Sequence, residues 1–214
     1  MLGIRFESGL KTVLCIGAHC DDVEIGCGGT LLELQAQHPQ AAFHWAVFSS
    51  EDGRGAETRD AARQLIANPQ ALTLDIHDFR ASYYPAQWAE IKDRLEALKA
   101  HVKPDVIFTH GLADRHQDHR VLAELTWNTF RDHLVLEYEI AKYEGDLGQP
   151  NLYVPVALPR VERKLAVLMS SFPSQRSRAW FSEDTFRGLM RLRGVECNSP
   201  SGFAEGFHAR KLRL

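Results

Sequence analysis

Short apolar runs alternate with amphipathic stretches along the first part of the chain, and this alternation is the strongest constraint on its fold. Runs at residues 12–17, 42–49, 71–76 and 105–110 predict buried strands, whereas residues 25–37, 57–67, 86–102 and 118–130 predict helices. Strands that are separated by helices pair in parallel, and the helices cover both faces of the sheet. We therefore predict a mostly parallel α/β sheet.

The alternation weakens in the last third of the sequence. Residues 134–140 and 152–156 predict two further strands, and Pro159 suits the first turn of a helix that runs toward Phe172. Ser182 is placed to cap a last helix. Because no internal repeat or low-complexity linker divides the sequence, we predict one domain, residues 1–214, of Rossmann-like α/β fold with helices on both faces.

The composition excludes several classes of partner. The chain has 214 residues, is 44% hydrophobic and 25% charged, and carries a net charge of −3, so no basic surface for nucleic acid is expected. No stretch approaches the ~18 apolar residues of a membrane span. The first residues lack the order of a secretory signal, and the four cysteines form no CxxC pair. We predict a cytoplasmic protein with reduced thiols, and leave both a monomer and a homo-oligomer open.

Polar residues accumulate directly after three of the predicted strands, at residues 18–24, 50–59 and 110–119. In open α/β sheets, ligands bind at the carboxyl ends of the strands, where such loops meet. We therefore expect these three segments to converge on one site.

The first segment begins the sequence AHCDDVEIGCGGT, residues 18–30. The consecutive carboxylates Asp21 and Asp22 would repel each other in a buried site without a counter-charge, and a divalent cation removes this conflict. His19 lies three residues before Asp22, so one turn could direct both toward the same ion. Imidazole and carboxylate groups are both common zinc ligands.

The third segment ends with DRHQDH, residues 114–119. A catalytic zinc site takes three protein ligands and leaves one position open. Either His116 or His119 would complete the set begun by His19 and Asp22. Asp21 would then act as the general base, and the remaining histidine as an electrophile or acid.

The ordered pair HCDDVEIGCGG and, about ninety residues later, RHQDHR resembles the LmbE/PIG-L family of zinc-dependent de-N-acetylases, which act on N-acetylglucosamine-type amino sugars. The resemblance covers residues 12–123. It implies a Zn²⁺ cofactor, although Fe²⁺ or another divalent ion suits the same ligand types. It departs from the family's commoner pattern at Cys20, where proline is more frequent, and at Val23, which separates the aspartate pair from Glu24.

The resemblance also implies a role for each matching residue. The metal ligands would be His19, Asp22 and His119, and the general base would be Asp21. His116 would stabilise the oxyanion or protonate the leaving amine, and Asp118 would orient His116. Arg59 falls where the family carries a substrate-binding arginine, and Arg54 in the same loop is the alternative.

Other interpretations of the sequence lead to other functions. A zinc amidase that acts on a non-sugar N-acyl substrate would share the mechanism, and a non-catalytic zinc- or nucleotide-binding module would need no base at Asp21. The glycines at positions 26, 28 and 29 lack dinucleotide-loop spacing and are expected to allow close helix–sheet packing. His110 is expected to have a supporting role, and Trp88 to pack rather than to stack on a sugar.

Overall fold

One seven-stranded sheet contains all the strands of the computed structural model, which describes residue 3 and residues 9–213. The strands are β1 (Thr12–Gly17), β2 (Ala42–Val47), β3 (Leu72–Ile76), β4 (Val106–His110), β5 (Leu134–Tyr138), β6 (Leu152–Pro155) and β7 (Ala204–Ala209). Their order is β3-β2-β1-β4-β5-β7-β6. The first five strands in this order are parallel, and β7 is antiparallel to both β5 and β6.

Six α-helices flank the sheet: α1 (Asp22–Gln37), α2 (Gly55–Leu65), α3 (Trp88–His101), α4 (Gln117–Thr129), α5 (Leu158–Ser171) and α6 (Glu183–Glu196). Because side chains alternate along a strand, β1 contributes to two separate cores. Val13 and Cys15 pack with α1, α2, α5 and α6, whereas Leu14 and Ile16 pack with α3 and α4. The predicted α/β sheet with helices on both faces is therefore confirmed.

Most predicted elements are present within a few residues of their expected ends, but one strand was missed. Strand β7 was not predicted, because it contains Gly206 and pairs outside the parallel series. Trp88, which was expected to pack, is 44% exposed at the start of α3. The predicted cap of the last helix is confirmed, since the Ser182 hydroxyl accepts a hydrogen bond from the backbone N–H of Thr185.

The buried carboxylate of Glu205 joins strand β7 to the middle of α1 and to α5. Glu205 accepts hydrogen bonds from the backbone N–H groups of Gly29 (2.8 Å) and Thr30 (2.6 Å). Lys164 of α5 donates to Glu205 at 2.6 Å and to the carbonyl of Ile25 at 2.6 Å. A side chain at position 29 would meet the Glu205 carboxylate and Val156, so the glycine allows this close approach.

No helix among the described residues combines the length and the apolar character that a bilayer crossing requires. Residues 1–2 and 4–8 of the N-terminal stretch, for which no secretory signal is predicted, lie outside the described residues.

Candidate active site

The link between β1 and α1 carries the first group of site residues. The chain leaves the sheet at Gly17, and the backbone N–H of His19 donates to Asp22 Oδ2 at 2.6 Å, which fixes the turn. Helix α1 begins at Asp22, three residues earlier than predicted, with Asp21 as its N-cap residue. Carboxylates are favoured here because the first turn of a helix has unpaired N–H groups and a partial positive charge. Asp21 makes no capping hydrogen bond with its side chain, which leaves its carboxylate available to the site.

Atoms of three side chains meet above this turn. His19 Nδ1 lies 3.1 Å from His119 Nε2 and 3.5 Å from Asp22 Oδ2. His119 Nε2 lies 3.6 Å from Asp22 Oδ1. Two ligand atoms that are each about 2.1 Å from a tetrahedral zinc ion lie roughly 3.4 Å from one another. The spacing of the three side chains therefore suits the coordination shell of a single ion.

The far sides of both imidazole rings are held by carboxylates. His19 Nε2 lies 3.1 Å from Asp118 Oδ2, and His119 Nδ1 lies 2.9 Å from Asp114 Oδ2. A ring that donates its outer N–H to a carboxylate has only a lone pair on its inner nitrogen. Two lone pairs and the carboxylate of Asp22 would then face each other, which is unfavourable unless a cation or a proton lies between them. The donor set therefore fits a divalent metal.

Electrostatics of the metal-free site agree with this interpretation. Burial disfavours a charged His19, but Asp118 and Asp22 outweigh it and raise the pKa of His19 to about 10. Burial and the neighbouring His110 lower the pKa of His119 to about 3. Burial opposes ionisation of Asp22 too, yet His119 and His110 hold its pKa well below the usual value. Without a metal, a proton on His19 is the positive charge at the centre of the site.

Asp21 lies beside the ligands and contacts an arginine of the second polar segment. Its carboxylate is 4% exposed, and Oδ1 lies 3.1 Å from Arg54 Nη2. Burial and the charge of Asp22 raise the pKa of Asp21, and Arg54 opposes this rise without cancelling it. Arg59, the residue expected to bind substrate, is instead exposed on α2 and has no hydrogen bond or ion pair with the described residues.

The orientation of His116 determines which of its nitrogens carries a proton. The backbone N–H of Asp118 donates to His116 Nδ1 at 3.3 Å, so the neutral ring bears its proton on Nε2. Burial and the charge of His19 lower the pKa of His116. The ring centroid of His116 is 5.0 Å from that of His19 and 4.5 Å from that of His119. A neutral N–H donor therefore lies at the edge of the ligand cluster.

The carboxylate of Asp118 has different partners from those expected. Among the described residues it contacts His19 and the backbone N–H groups of Ser82 and Tyr84, rather than the His116 ring. Because Asp118 lies in the first turn of α4 and is fully buried, its side chain points across to the β1–α1 link and not along its own helix. The expected Asp118–His116 pair is therefore replaced by an Asp118–His19 pair.

The 80–84 loop also borders the site. Ser82 has a φ of 69°, an uncommon value for a residue with a side chain, and its N–H is held by Asp118. The Tyr84 hydroxyl donates to the carbonyl of Ala18 at 2.7 Å, and a hydrogen bond of 2.7 Å joins it to Ser49. The loop therefore joins the site through a backbone N–H group and through the hydroxyl of a buried tyrosine.

His110 packs against the side chains of His119 and Asp22. Its ring is fully buried and stacks on His119 with a centroid distance of 3.9 Å. His110 Nε2 lies 3.2 Å from Asp22 Oδ2 and 3.0 Å from the backbone N of Ala18, which donates to it. The sequence predicted a supporting role, and the contacts assign that role to the Asp22 side of the cluster.

Residues 14–130 match the family model described as PIG-L, GlcNAc-PI de-N-acetylase, and this match spans more than half of the chain. The chain belongs to the PIG-L family. The matched segment includes His19, Asp21, Asp22, His110, His116 and His119.

Relatives of this PIG-L chain extend the comparison. YaiS of Escherichia coli K12, named as an uncharacterized deacetylase, is 32% identical over 122 residues, 51% of this chain and 62% of that protein. An N,N'-diacetylchitobiose deacetylase from Pyrococcus horikoshii has the same fold, with a TM-score of 0.71, 21% identity, and coverage of 94% of this chain and 84% of that one.

A further structure with the same fold belongs to an enzyme of a different activity. GalB of Pseudomonas putida KT2440, a 4-carboxy-2-hydroxymuconate hydratase, matches with a TM-score of 0.77 and 18% identity, covering 96% of this chain and 98% of that one. The PIG-L fold is therefore shared by deacetylases and a hydratase, so the chemistry must be inferred from the site.

Proposed function

We propose that the protein is a zinc-dependent N-deacetylase that removes the acetyl group from an N-acetylglucosamine-type amino sugar or a conjugate of one. In this proposal His19, Asp22 and His119 hold the metal, Asp21 is the general base, and His116 stabilises the oxyanion. The observation that carries it is the convergence of two imidazole lone pairs and one carboxylate, with the carboxylate of Asp21 beside them.

The residues divide the reaction between them. A divalent cation bound by the three ligands would supply Lewis-acid activation of water and of the amide carbonyl. Asp21 accepts the proton of the attacking water, and its raised pKa makes it a stronger base than an exposed aspartate. Arg54 keeps its carboxylate directed and ionised. His116 donates a hydrogen bond from Nε2 to the oxyanion, and Asp21 passes the proton that it took from the water to the nitrogen as the C–N bond breaks, which releases acetate and the free amine.

The sugar specificity is supported by the relatives. The family model is that of a de-N-acetylase of GlcNAc-PI, and the Pyrococcus structure is that of a deacetylase of N,N'-diacetylchitobiose. Arg54 would contact the sugar in addition to Asp21, whereas the exposed position of Arg59 favours it less. A cytoplasmic location and a single domain over residues 1–214 remain predictions from the sequence.

Acetate release from a panel of substrates tests the proposal. The metal-free protein would be reconstituted with Zn²⁺ or Fe²⁺ and incubated with N-acetylglucosamine, N,N'-diacetylchitobiose, simple N-acetyl amides and an unsaturated hydroxy-tricarboxylate. Metal-dependent acetate release from the sugars alone is expected. Turnover of only the simple amides would leave a non-sugar amidase, hydration of the tricarboxylate would indicate a hydratase, and tight zinc binding without turnover would indicate a binding module.

A further inference from the structure

Lys142 lies in the 141–150 segment between β5 and β6, outside the part of the chain that matches the family model. Its side chain is only 8% exposed, although lysine is seldom buried without a partner. Lys142 Nζ lies 3.1 Å from Asp114 Oδ2, 2.7 Å from Asp146 Oδ1 and 2.8 Å from Asp146 Oδ2. The ammonium group is therefore held between two carboxylates.

The oxygen of Asp114 that Lys142 contacts is also the oxygen that holds a metal ligand. His119 Nδ1 lies 2.9 Å from Asp114 Oδ2, and the other oxygen, Oδ1, accepts the backbone N–H of His116 at 2.8 Å. With both oxygens engaged, the Asp114 carboxylate has one orientation. The lysine thus fixes the atom that sets the direction of the His119 ring.

Lys142 also balances the negative charges of Asp114 and Asp146. The side chains of Asp114 and Asp146 are 8% and 5% exposed, so without the ammonium group two poorly hydrated carboxylates would repel each other. Asp146 also accepts the backbone N–H of Arg115 at 2.7 Å, which ties the 141–150 segment to the loop before α4. Loss of the ammonium group would therefore remove a hydrogen bond from Asp114 and would also let the Asp146 carboxylate repel it.

From these contacts we infer that Lys142 is a positioning residue for the metal ligand His119 and acts on it through Asp114. This inference rests on the proposed metal site. It adds a residue from the unmatched segment to the machinery, and it makes the strength of metal binding depend on a side chain that touches neither metal nor substrate.

Zinc affinity of the metal-free full-length protein, measured by competition with a chromogenic chelator, tests this role without using activity. Lys142→Met is expected to weaken zinc binding about tenfold, the lower end of the effect of losing an outer partner of a metal-bound histidine. Lys142→Arg should restore most of the affinity, because a cavity of about 110 Å³ beside Asp114 leaves room for the larger group. Lys92→Met, which removes a lysine that joins α3 to the far end of α4, is the matched control and should bind zinc normally.

A double-mutant cycle separates action through Asp114 from a general loss of structure. In an Asp114→Ala background, Lys142→Met should have almost no further effect on zinc affinity, since the connecting carboxylate is gone. Additive effects, or unchanged affinity in Lys142→Met, would overturn the inference. If Lys142→Met does not fold, Lys142→Gln, which keeps a donor without the charge, takes its place in the same cycle. Failure of the wild-type protein to bind zinc would instead overturn the proposed function itself.

Discussion

His19 and Asp118 are 99 residues apart in the sequence, and in the structure the Nε2 atom of His19 lies 3.1 Å from an oxygen of Asp118. The same carboxylate accepts the backbone N–H groups of Ser82 and Tyr84. One buried side chain therefore orients His19, a proposed metal ligand, and also holds the 80–84 loop against the site.

Substitution Asp118→Asn should weaken both functions of this carboxylate. The amide offers one acceptor oxygen in place of two, so we expect a loss of about 10- to 100-fold in zinc affinity. The unpaired backbone donors should lower the free energy of unfolding by about 1–3 kcal/mol. Chelator competition and urea denaturation measure the two effects. Asp93→Asn, on the exposed face of α3, is the control, and an unchanged zinc affinity in Asp118→Asn would contradict the assignment.

Asp21→Asn should separate metal binding from catalysis. Asp21 lies beside the ligands without being one of the three converging groups, so the variant should retain zinc. The rate of acetate release should fall about 10²- to 10⁴-fold, the usual effect of losing a general base. Zinc content by atomic absorption and kcat from acetate assays report the two properties. A variant that lost its zinc would show that Asp21 is a ligand rather than the base.

Metal binding should release a proton from His19. In the metal-free protein the pKa of His19 is raised to about 10, so at neutral pH a proton occupies the place of the ion. The apparent zinc affinity should therefore rise about tenfold per pH unit from neutrality up to that pKa and level off above it. Calorimetry in buffers of different ionisation enthalpy counts the protons. In Asp118→Asn the plateau should begin at lower pH, because Asp118 is the largest contribution that raises this pKa.

Two glycines of α1 should respond in opposite directions to the same substitution. A methyl group at Gly26 would overlap the ring of Tyr138, whose hydroxyl is fixed on the carbonyl of Ile16, so Gly26→Ala should destabilise the fold by about 1–3 kcal/mol. At Gly28 the nearest atoms lie 3.5 Å away, and Gly28→Ala should stabilise the fold by up to about 1 kcal/mol through helix propensity. Urea denaturation compares the pair, and equal effects would show that Tyr138 can move aside.

The sequence was sufficient to predict the parts of the site that lie in local motifs. His19, Asp22 and His119 follow strands whose apolar character is visible in the sequence, and the rule for parallel sheets predicted that their loops would converge. The structure brings the loops together, with His119 Nε2 3.1 Å from His19 Nδ1 and Arg54 3.1 Å from Asp21.

The remaining features of the site depend on the directions of side chains and of the chain, which the spacing of residues along the sequence does not encode. Asp118 is two residues from His116, yet its place in the first turn of a buried helix directs the carboxylate to the β1–α1 link. Ser82 contributes a backbone N–H and an unusual φ, and neither depends on its side chain. Lys142 lies in a polar link, and only the path of the chain beyond β5 brings it to Asp114.

The bond between Glu205 and the middle of α1 has a consequence for how the protein forms during synthesis. The helix that begins with Asp22 is secured by a partner about 180 residues further along the chain, so a ribosome must have made the chain as far as β7 before that helix gains its partner. Until then, the turn that carries the proposed ligands His19 and Asp22 is without its anchor, and a nascent chain is not expected to bind an ion there.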